Sequence, residues 1–236
     1  MVSRRAVLAA AATTAPTGAA HAASAFLEAW LAPKPRPWPR WEARDPLSTR
    51  RVDHSIGDRF LAAWRRRRPD GVAAIAYGAV GRGARDALDS YLGQLGAERV
   101  SDFARPEQFA FWCNLYNAAT IKLVLDAYPV ASIRDIDLGG GVLARGPWDA
   151  RIVAIEGEPL TLNDIEHRNQ RPIWQDPFVH YALNCASIGC PDIPPRAWSG
   201  ADLRQELDRA ARAFVNHPRG VSVDPDGLTV SSLYNW

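Results

Sequence analysis

One long apolar segment near the middle of the chain limits the folds that this sequence can adopt. Residues 106–127 carry large apolar side chains at the spacing of an α-helix, and the helix is predicted to end before Pro129. These side chains are Phe111, Trp112, Leu115, Tyr116, Leu123 and Leu125. A helix that is apolar on more than one side has to be covered by other elements. We therefore predict that this segment is the central helix of the core.

The other periodic segments predict helices and strands in mixed order. The predicted helices are 53–68, 82–96, a short one opened by a capping box at Thr161–Asp164, and one with Leu203, Leu207, Ala211 and Phe214 on its apolar face. The predicted strands are 72–79, a hairpin-like pair within 151–160, 177–184, and a final hairpin of 220–223 with 228–233. Because regular βαβ alternation is missing, the predicted class is α+β. We expect a single compact domain, with the central helix packed on a small, mostly antiparallel sheet.

Four consecutive arginines are predicted to close the helix at 53–68. Arg65–Arg68 precede Pro69, which stops a helix, and cations suit a helix C-terminus. Contact with an anionic polymer or lipid is the alternative interpretation of this run.

The first 22 residues have the pattern of an export signal. Arg4 and Arg5 precede an Ala-rich apolar stretch, and Ala20–Ala22 provides an A-x-A cleavage site. The arginine pair favours the twin-arginine route to a periplasmic or secreted location, with a disordered tail as the alternative. Thr, Pro and Gly interrupt a stretch that is shorter than the roughly 20 apolar residues of a membrane span, so no span is predicted. We divide the chain into a signal peptide (1–22), a Pro/Arg-rich arm with the N-terminal helix (23–69) and a main domain (70–236).

Charge and motif content weigh against nucleic acid and cofactors. The chain has 28 Lys and Arg residues against 26 Asp and Glu residues, and loss of Arg4 and Arg5 with the signal would balance them. A balanced charge removes the main support for nucleic-acid binding. Gly139–Gly141 lacks the Lys-Ser/Thr ending of a phosphate loop. We predict a small-molecule or peptide substrate, no nucleic acid and no cofactor.

Four ordered segments resemble a known family. They are Phe111–Ala118 (FWCNLYNA), Tyr128–Asp135 (YPVASIRD), Leu160–His167 (LTLNDIEH) and His180–Pro191 (HYALNCASIGCP). In this order and spacing they resemble the domain of unknown function 547 family over about residues 70–236, and the closing residues 230–236 are similar to its end motif. The resemblance implies a fold and a candidate site but no established reaction.

Two positions depart from the family pattern. Cys113 stands where the family usually has an aliphatic residue, so no chemistry is assigned to it, and its apolar surroundings predict a small buried hydrophobe. The chain ends at Trp236, where relatives usually continue through an acidic segment and a helix. The C-terminal end of the domain is therefore expected to be truncated.

Cys185 is the candidate nucleophile. It follows a predicted strand and precedes a turn of small residues, whose N–H groups would lower the thiol pKa or bind an oxyanion. His180 or His167 would act as the base, and Glu166 would orient the imidazole. On a regular strand His180 and Cys185 point to opposite faces, so the chain must turn before the cysteine for them to meet.

Cys185 has two further interpretations. In an oxidising compartment it would form a structural disulfide with Cys190, and otherwise it would be an inert buried thiol. Glu166, His167, His180 and Cys185 include acceptable zinc ligand types. Neither an H-E-x-x-H nor a CxxC framework occurs, so no metal site is predicted.

Four further residues are candidates for substrate contact: Asn114, Asn117, Asn184 and Ser187. Asn114 and Asn117 lie three apart on the central helix. Their alternative role is to hold loop backbone, since buried polar groups need hydrogen-bond partners.

Two functions follow from these residues. The first is a thiol-dependent hydrolase or acyltransferase that acts on a peptide or amide. The alternative is a non-catalytic envelope binding domain with Cys185–Cys190 as a structural pair. The oligomeric state is left open.

Overall fold

A computed structural model describes residues 37–139, 146–225 and 227–235 of the chain. The predicted signal peptide, the beginning of the arm, Gly140 and Gly141, and the terminal Trp236 lie outside this part.

Three α-helices dominate the first half of the described chain. They are α1 (Ser55–Trp64), α2 (Arg82–Gly96) and α3 (Arg105–Ala127). Short 3-10 helices lie at Pro39–Glu42, Tyr77–Ala79, Val100–Asp102 and Ile133–Asp135. Pro106 lies in the first turn of α3, where a backbone N–H has no partner within the helix, so proline costs no hydrogen bond there. The boundaries predicted for α2 and α3 are confirmed to within one residue.

The helix α3 forms the centre of the core. Every residue from Glu107 to Ile121 is buried, and Phe111 and Leu115 are fully shielded from solvent. Trp112 packs edge-to-face against Trp41, whose 3-10 turn covers one side of the helix. The prediction of a central apolar helix is confirmed.

The strands form three separate antiparallel hairpins. They are β1 (Arg65–Arg67) with β2 (Ala73–Ile75), β3 (Val153–Ile155) with β4 (Glu158–Leu160), and β5 (Val221–Asp224) with β6 (Gly227–Val230). The α+β class is confirmed, with the strands in three small antiparallel sheets rather than one. The main neighbours of α3 are α2 and the helical segment 164–170, because a two-stranded hairpin of three residues is too small to cover a long helix.

The arginine run does not end a helix. The helix α1 stops at Trp64, and Arg65–Arg67 pair with Ala73–Ile75 instead. Gly71 has a φ of +84°, in the left-handed region that glycine adopts most readily, and so lets the chain reverse. Arg65 points towards the body and donates from Nε to the Ile193 carbonyl at 2.7 Å. Cross-strand pairing thus overrides the local preference for a helix end.

The second half of the described chain contains short helices. A π-helix (Asp164–Gln170) runs into α4 (Arg171–Trp174), and α5 (Val179–Ala182), α6 (Leu203–Val215) and a final 3-10 turn (Ser232–Asn235) follow. The predicted capping box is confirmed. The Asp164 N–H donates to Thr161 Oγ1 at 2.9 Å, and the Thr161 N–H donates to Asp164 Oδ2 at 3.1 Å.

The strand predicted at 177–184 is wrong. The segment forms α5 and becomes extended only at Leu183. The Asp176 carboxylate accepts from the Phe178 N–H at 2.9 Å, and the Asp176 carbonyl accepts from the Val179 N–H. These contacts close a helical turn within a short apolar run that is compatible with either structure.

Among the helices that the structure describes, none is both long enough and apolar enough to cross a membrane.

Candidate functional site

A buried ion pair forms the centre of the candidate site. In the π-helix the Arg171 N–H donates to the Glu166 carbonyl, five residues earlier. This wide turn places the two side chains side by side, and Arg171 Nη2 lies 2.7 Å from Glu166 Oε1. Their side chains are only 12% and 18% exposed, respectively. Burial opposes the charge on Glu166, but His167 and Arg171 outweigh it and lower the carboxyl pKa.

His180 meets this ion pair from α5. Arg171 Nη2 lies 3.2 Å from His180 Nδ1. A guanidinium only donates, so Nδ1 accepts and a neutral ring carries its proton on Nε2. Burial and the Arg171 charge lower the His180 pKa to about 4. The imidazole is therefore neutral near pH 7.

Two aromatic residues extend the cluster towards α3. Tyr116 is buried, and it lies near enough to Glu166 and Trp148 for both residues to influence its pKa. Burial, together with the Glu166 charge, raises the Tyr116 pKa well above its ordinary value. The phenol therefore stays protonated beside the Glu166 carboxylate.

His167 lies in the same cluster and is 5% exposed. Burial lowers its pKa, although the Glu166 charge opposes the shift. Glu166, His167 and His180 thus lie near enough for their charges to interact.

The sequence pattern did not indicate Arg171, Tyr116 or Trp148 as site residues. The only signal for Arg171 was its position five residues after Glu166, which has meaning only in a π-helix. Tyr116 lies inside the FWCNLYNA segment, where its aromatic ring looked like one more core residue.

Cys185 is bonded to Cys190 in a disulfide, with 6.3 Å between the two Cα atoms. Of the three interpretations of this residue, the structure contains the disulfide, so Cys185 is not a free nucleophile in it. Between the cysteines, Ala186 has a φ of +57° and packs near Val124 and Ile133.

Cys113 is the free cysteine of the described residues, and it is fully buried. Burial raises its pKa well above the ordinary thiol value, and Gln170 Nε2 lies 3.1 Å from its sulfur. The prediction that Cys113 is a small buried residue is confirmed.

The two asparagines of α3 hold loop backbone. Asn114 accepts from the Trp198 N–H and donates to the Trp198 carbonyl, both at 2.9 Å. Asn117 accepts from the Asn184 N–H at 2.8 Å and donates to the Ala182 carbonyl at 2.9 Å. Each amide therefore closes a two-bond ring with a loop, as the alternative interpretation of these residues expects.

The polar residues of the disulfide loop are also engaged locally. Asn184 donates to the Pro191 carbonyl at 2.6 Å and accepts from the Ala186 N–H at 3.0 Å. Ser187 is exposed, and its hydroxyl accepts from the Gly189 N–H at 3.3 Å. These contacts shape the loop. Of the two polar side chains, Ser187 is the exposed one.

Within the described ranges, no group of three or more His, Cys, Asp and Glu residues is arranged to hold a metal ion.

Comparison with known proteins gives one family. A family model described as "Protein of unknown function, DUF547" matches residues 100–215. This range covers α3, the π-helix, the disulfide loop and α6. No curated protein and no solved structure matches the chain.

Proposed function

We propose that this domain, in which residues 100–215 belong to the DUF547 family, is a non-catalytic binding module for a peptide or another small amide ligand. The observation that carries the proposal is the Cys185–Cys190 disulfide, which engages the sulfur that a hydrolase would need. The second free-thiol candidate, Cys113, is buried and protonated.

The polar cluster supports binding of a ligand without formal charge. Glu166 and Arg171 neutralise each other, and His180 is uncharged at neutral pH. A neutral imidazole offers one donor and one acceptor, and Arg171 already occupies the acceptor. An amide carbonyl is a suitable partner for the remaining N–H, because it accepts a hydrogen bond without adding an unpaired charge.

The disulfide loop supplies an exposed edge beside half-buried Cys185 and Asn184. Ile188 is 57% exposed at its tip, next to exposed Ser187. The Arg219 side chain donates to the Ile188 carbonyl, and the Ser231 hydroxyl donates to the Gly189 carbonyl, both at 3.3 Å. A loop that is held by a disulfide at its base and by hydrogen bonds at its tip loses little conformational entropy on binding, which favours affinity.

The proposal includes export to the periplasm or the exterior. The Arg4–Arg5 pair and the A-x-A site motivate it. An oxidising compartment also suits a stable disulfide. Replacement of both arginines by lysine is expected to leave precursor in the cytoplasm, and unchanged export would exclude the twin-arginine route.

Thiol counting on the exported, reductant-free protein separates a binding module from a thiol hydrolase. Native protein should release no thionitrobenzoate from Ellman's reagent, because two cysteines are bonded and Cys113 is buried. Unfolding without reductant should expose one thiol, and unfolding after reduction should expose three.

The contrary result is rapid alkylation of Cys185 in the native protein below the ordinary thiol pKa of about 8.5. Loss of that reactivity in His180→Ala or His167→Ala would mark an activated thiolate and overturn the non-catalytic assignment.

Ligand binding is tested directly with a phage-displayed random heptapeptide library. Peptides enriched on the wild-type domain should lose binding to the matched variant Glu166→Gln, which changes the cluster without changing its size. Failure to enrich any peptide, or equal binding by that variant, would count against this site.

A further inference from the structure

An open groove lies between α1 and α2, away from the residues of the proposed binding site. Its volume is about 330 Å³, which is near the lower end of the range for small-molecule sites. The residues that line it precede residue 100, so they fall outside the family match. The groove is therefore a feature of this chain's N-terminal helices.

Unequal side-chain size creates the groove. Ile56, Phe60 and Trp64 follow one another at intervals of four along one face of α1. The opposing face of α2 presents the small residues Ala84, Ala87 and Ser90. Phe60 is buried at the floor, while Ile56 and Trp64 are half-buried along the wall. Large residues on one helix thus face small residues on the other, and apolar surface remains open to solvent.

A cation stands at the rim of this apolar groove. Arg59 lies on α1 between Ile56 and Phe60, and its side chain is exposed. Among the described residues no ion pair of Arg59 occurs within 4.0 Å, although its charge acts weakly on Asp53. By contrast, Arg50, Arg51 and Arg67 each lie close to a carboxylate. Arg59 is therefore a cation whose charge is not neutralised by direct contact.

The second polar group on the rim is Ser90 of α2. Its hydroxyl donates to the Asp86 carbonyl at 2.9 Å and so has no proton left for an anionic head, which leaves Arg59 as the group on the rim that would bind one. The lining thus consists of five apolar side chains, one hydroxyl and one cation. An apolar body and an anionic head are the ligand features that this combination complements.

We propose that the α1–α2 groove binds a free long-chain carboxylate, with its acyl chain against Phe60 and Trp64 and its head at Arg59. A single unbranched chain suits a groove of this volume whose large apolar residues, Ile56, Phe60 and Trp64, follow one another along one helix. This site is independent of the amide-binding site proposed at Glu166, Arg171 and His180, because the two share no residue.

The probe for this proposal is 11-(dansylamino)undecanoic acid, added to the full exported protein below its micelle concentration. We expect saturable binding of one probe per chain, seen as dansyl emission excited through tryptophan, and displacement by dodecanoate. Arg59→Gln should weaken binding roughly twofold to fivefold, as expected for an exposed ion pair with the head group. Arg99→Gln is the matched control, since Arg99 is 74% exposed and lies outside the groove, and its affinity should equal that of wild type.

Ala87→Trp fills the groove and should abolish binding. The circular dichroism spectrum and the unfolding midpoint of Ala87→Trp show whether this variant folds. If it does not fold, the Arg59→Gln measurement tests the proposal by itself. Equal displacement by dodecylamine and dodecanoate would overturn the assignment of an anionic head. If the protein binds phosphatidylglycerol vesicles but does not bind the monomeric probe, the proposal is overturned in favour of binding to a membrane surface. Neither result would bear on thiol counting or on peptide binding at the other site.

Discussion

The Arg171 side chain holds its charge in a nearly buried position because several groups surround it. Glu166 lies at 2.7 Å from one terminal nitrogen, and the same nitrogen meets His180 at 3.2 Å. A charge removed from water is stable only while its partner remains. Arg171 therefore couples α4, α5 and the π-helix through one side chain.

Replacing Glu166 by Gln should destabilise the protein by about 2–4 kcal/mol, since it removes the carboxylate charge that lies 2.7 Å from the nearly buried Arg171 guanidinium. Urea unfolding followed by tryptophan fluorescence measures this loss. The control is Asp208→Asn, which breaks an exposed pair with Arg204 and should change stability by no more than about 1 kcal/mol. Equal losses of stability in the two variants would show that the Glu166–Arg171 pair contributes no more than an exposed ion pair.

At the scale of elements, α3 has two roles. Its apolar residues build the core, while Asn114 and Asn117 fix the loops that carry Trp198 and Asn184. A helix buried along fifteen consecutive residues has no solvent-facing side in that stretch. Its polar residues must therefore find partners inside the protein, and loop backbone provides them.

Leu115→Ala should cost about 2–5 kcal/mol, because Leu115 is fully buried and its truncation leaves a cavity that the core fills only in part. The unfolding midpoint in urea reports the loss. Leu47→Ala makes the same chemical change at a residue that is 88% exposed and should stay within about 0.5 kcal/mol of wild type. A wild-type midpoint for Leu115→Ala would contradict the central position of α3.

At the scale of the whole molecule, two buried histidines link stability to pH. His54 Nδ1 lies 2.6 Å from the Tyr91 hydroxyl, and its Nε2 lies 3.1 Å from Asn114 Nδ2. Burial lowers the His54 pKa to about 4, although Asp58 and Asp53 oppose the shift. His180 has a pKa of about 4 for a related reason. Two separate polar clusters therefore contain neutral imidazoles.

Stability should fall as pH drops from about 6.5 towards about 4. In this window the unfolded chain binds protons at both histidines while the folded protein does not, so protonation favours unfolding. Each histidine contributes a slope of up to about 1.4 kcal/mol per pH unit. Above pH 6.5 both states are neutral at these residues, and they add no slope.

Urea unfolding at a series of pH values measures this dependence. The variant His54→Gln should remove about one proton from the slope between pH 6.5 and 4, whatever its effect on the midpoint at pH 7. His217→Gln is the control, since His217 lies outside both polar clusters and contacts the Asp70 carbonyl in an exposed position. An unchanged slope in His54→Gln would show that His54 titrates alike in both states.

Local pattern in the sequence was enough for the long helices. Residues 82–96 and 106–127 repeat apolar side chains over four or more turns, and the capping pair Thr161 and Asp164 lies within four residues. Such signals arise from contacts between near neighbours, which any fold of this chain preserves. The α+β class and the position of the central helix therefore follow from the sequence alone.

Tertiary structure decided the rest. The arginine run Arg65–Arg67 became a strand through pairing with β2, and the end of α5 is fixed by Asn117 of α3, which bonds the Ala182 carbonyl and the Asn184 N–H. The cluster of Glu166, Arg171 and Tyr116 depends on a π-turn facing α3, which no local pattern reports. Whether Cys185 was a nucleophile or half of a disulfide depended on the distance to Cys190. These outcomes are set by contacts between segments, and a contact between segments has no periodicity in sequence.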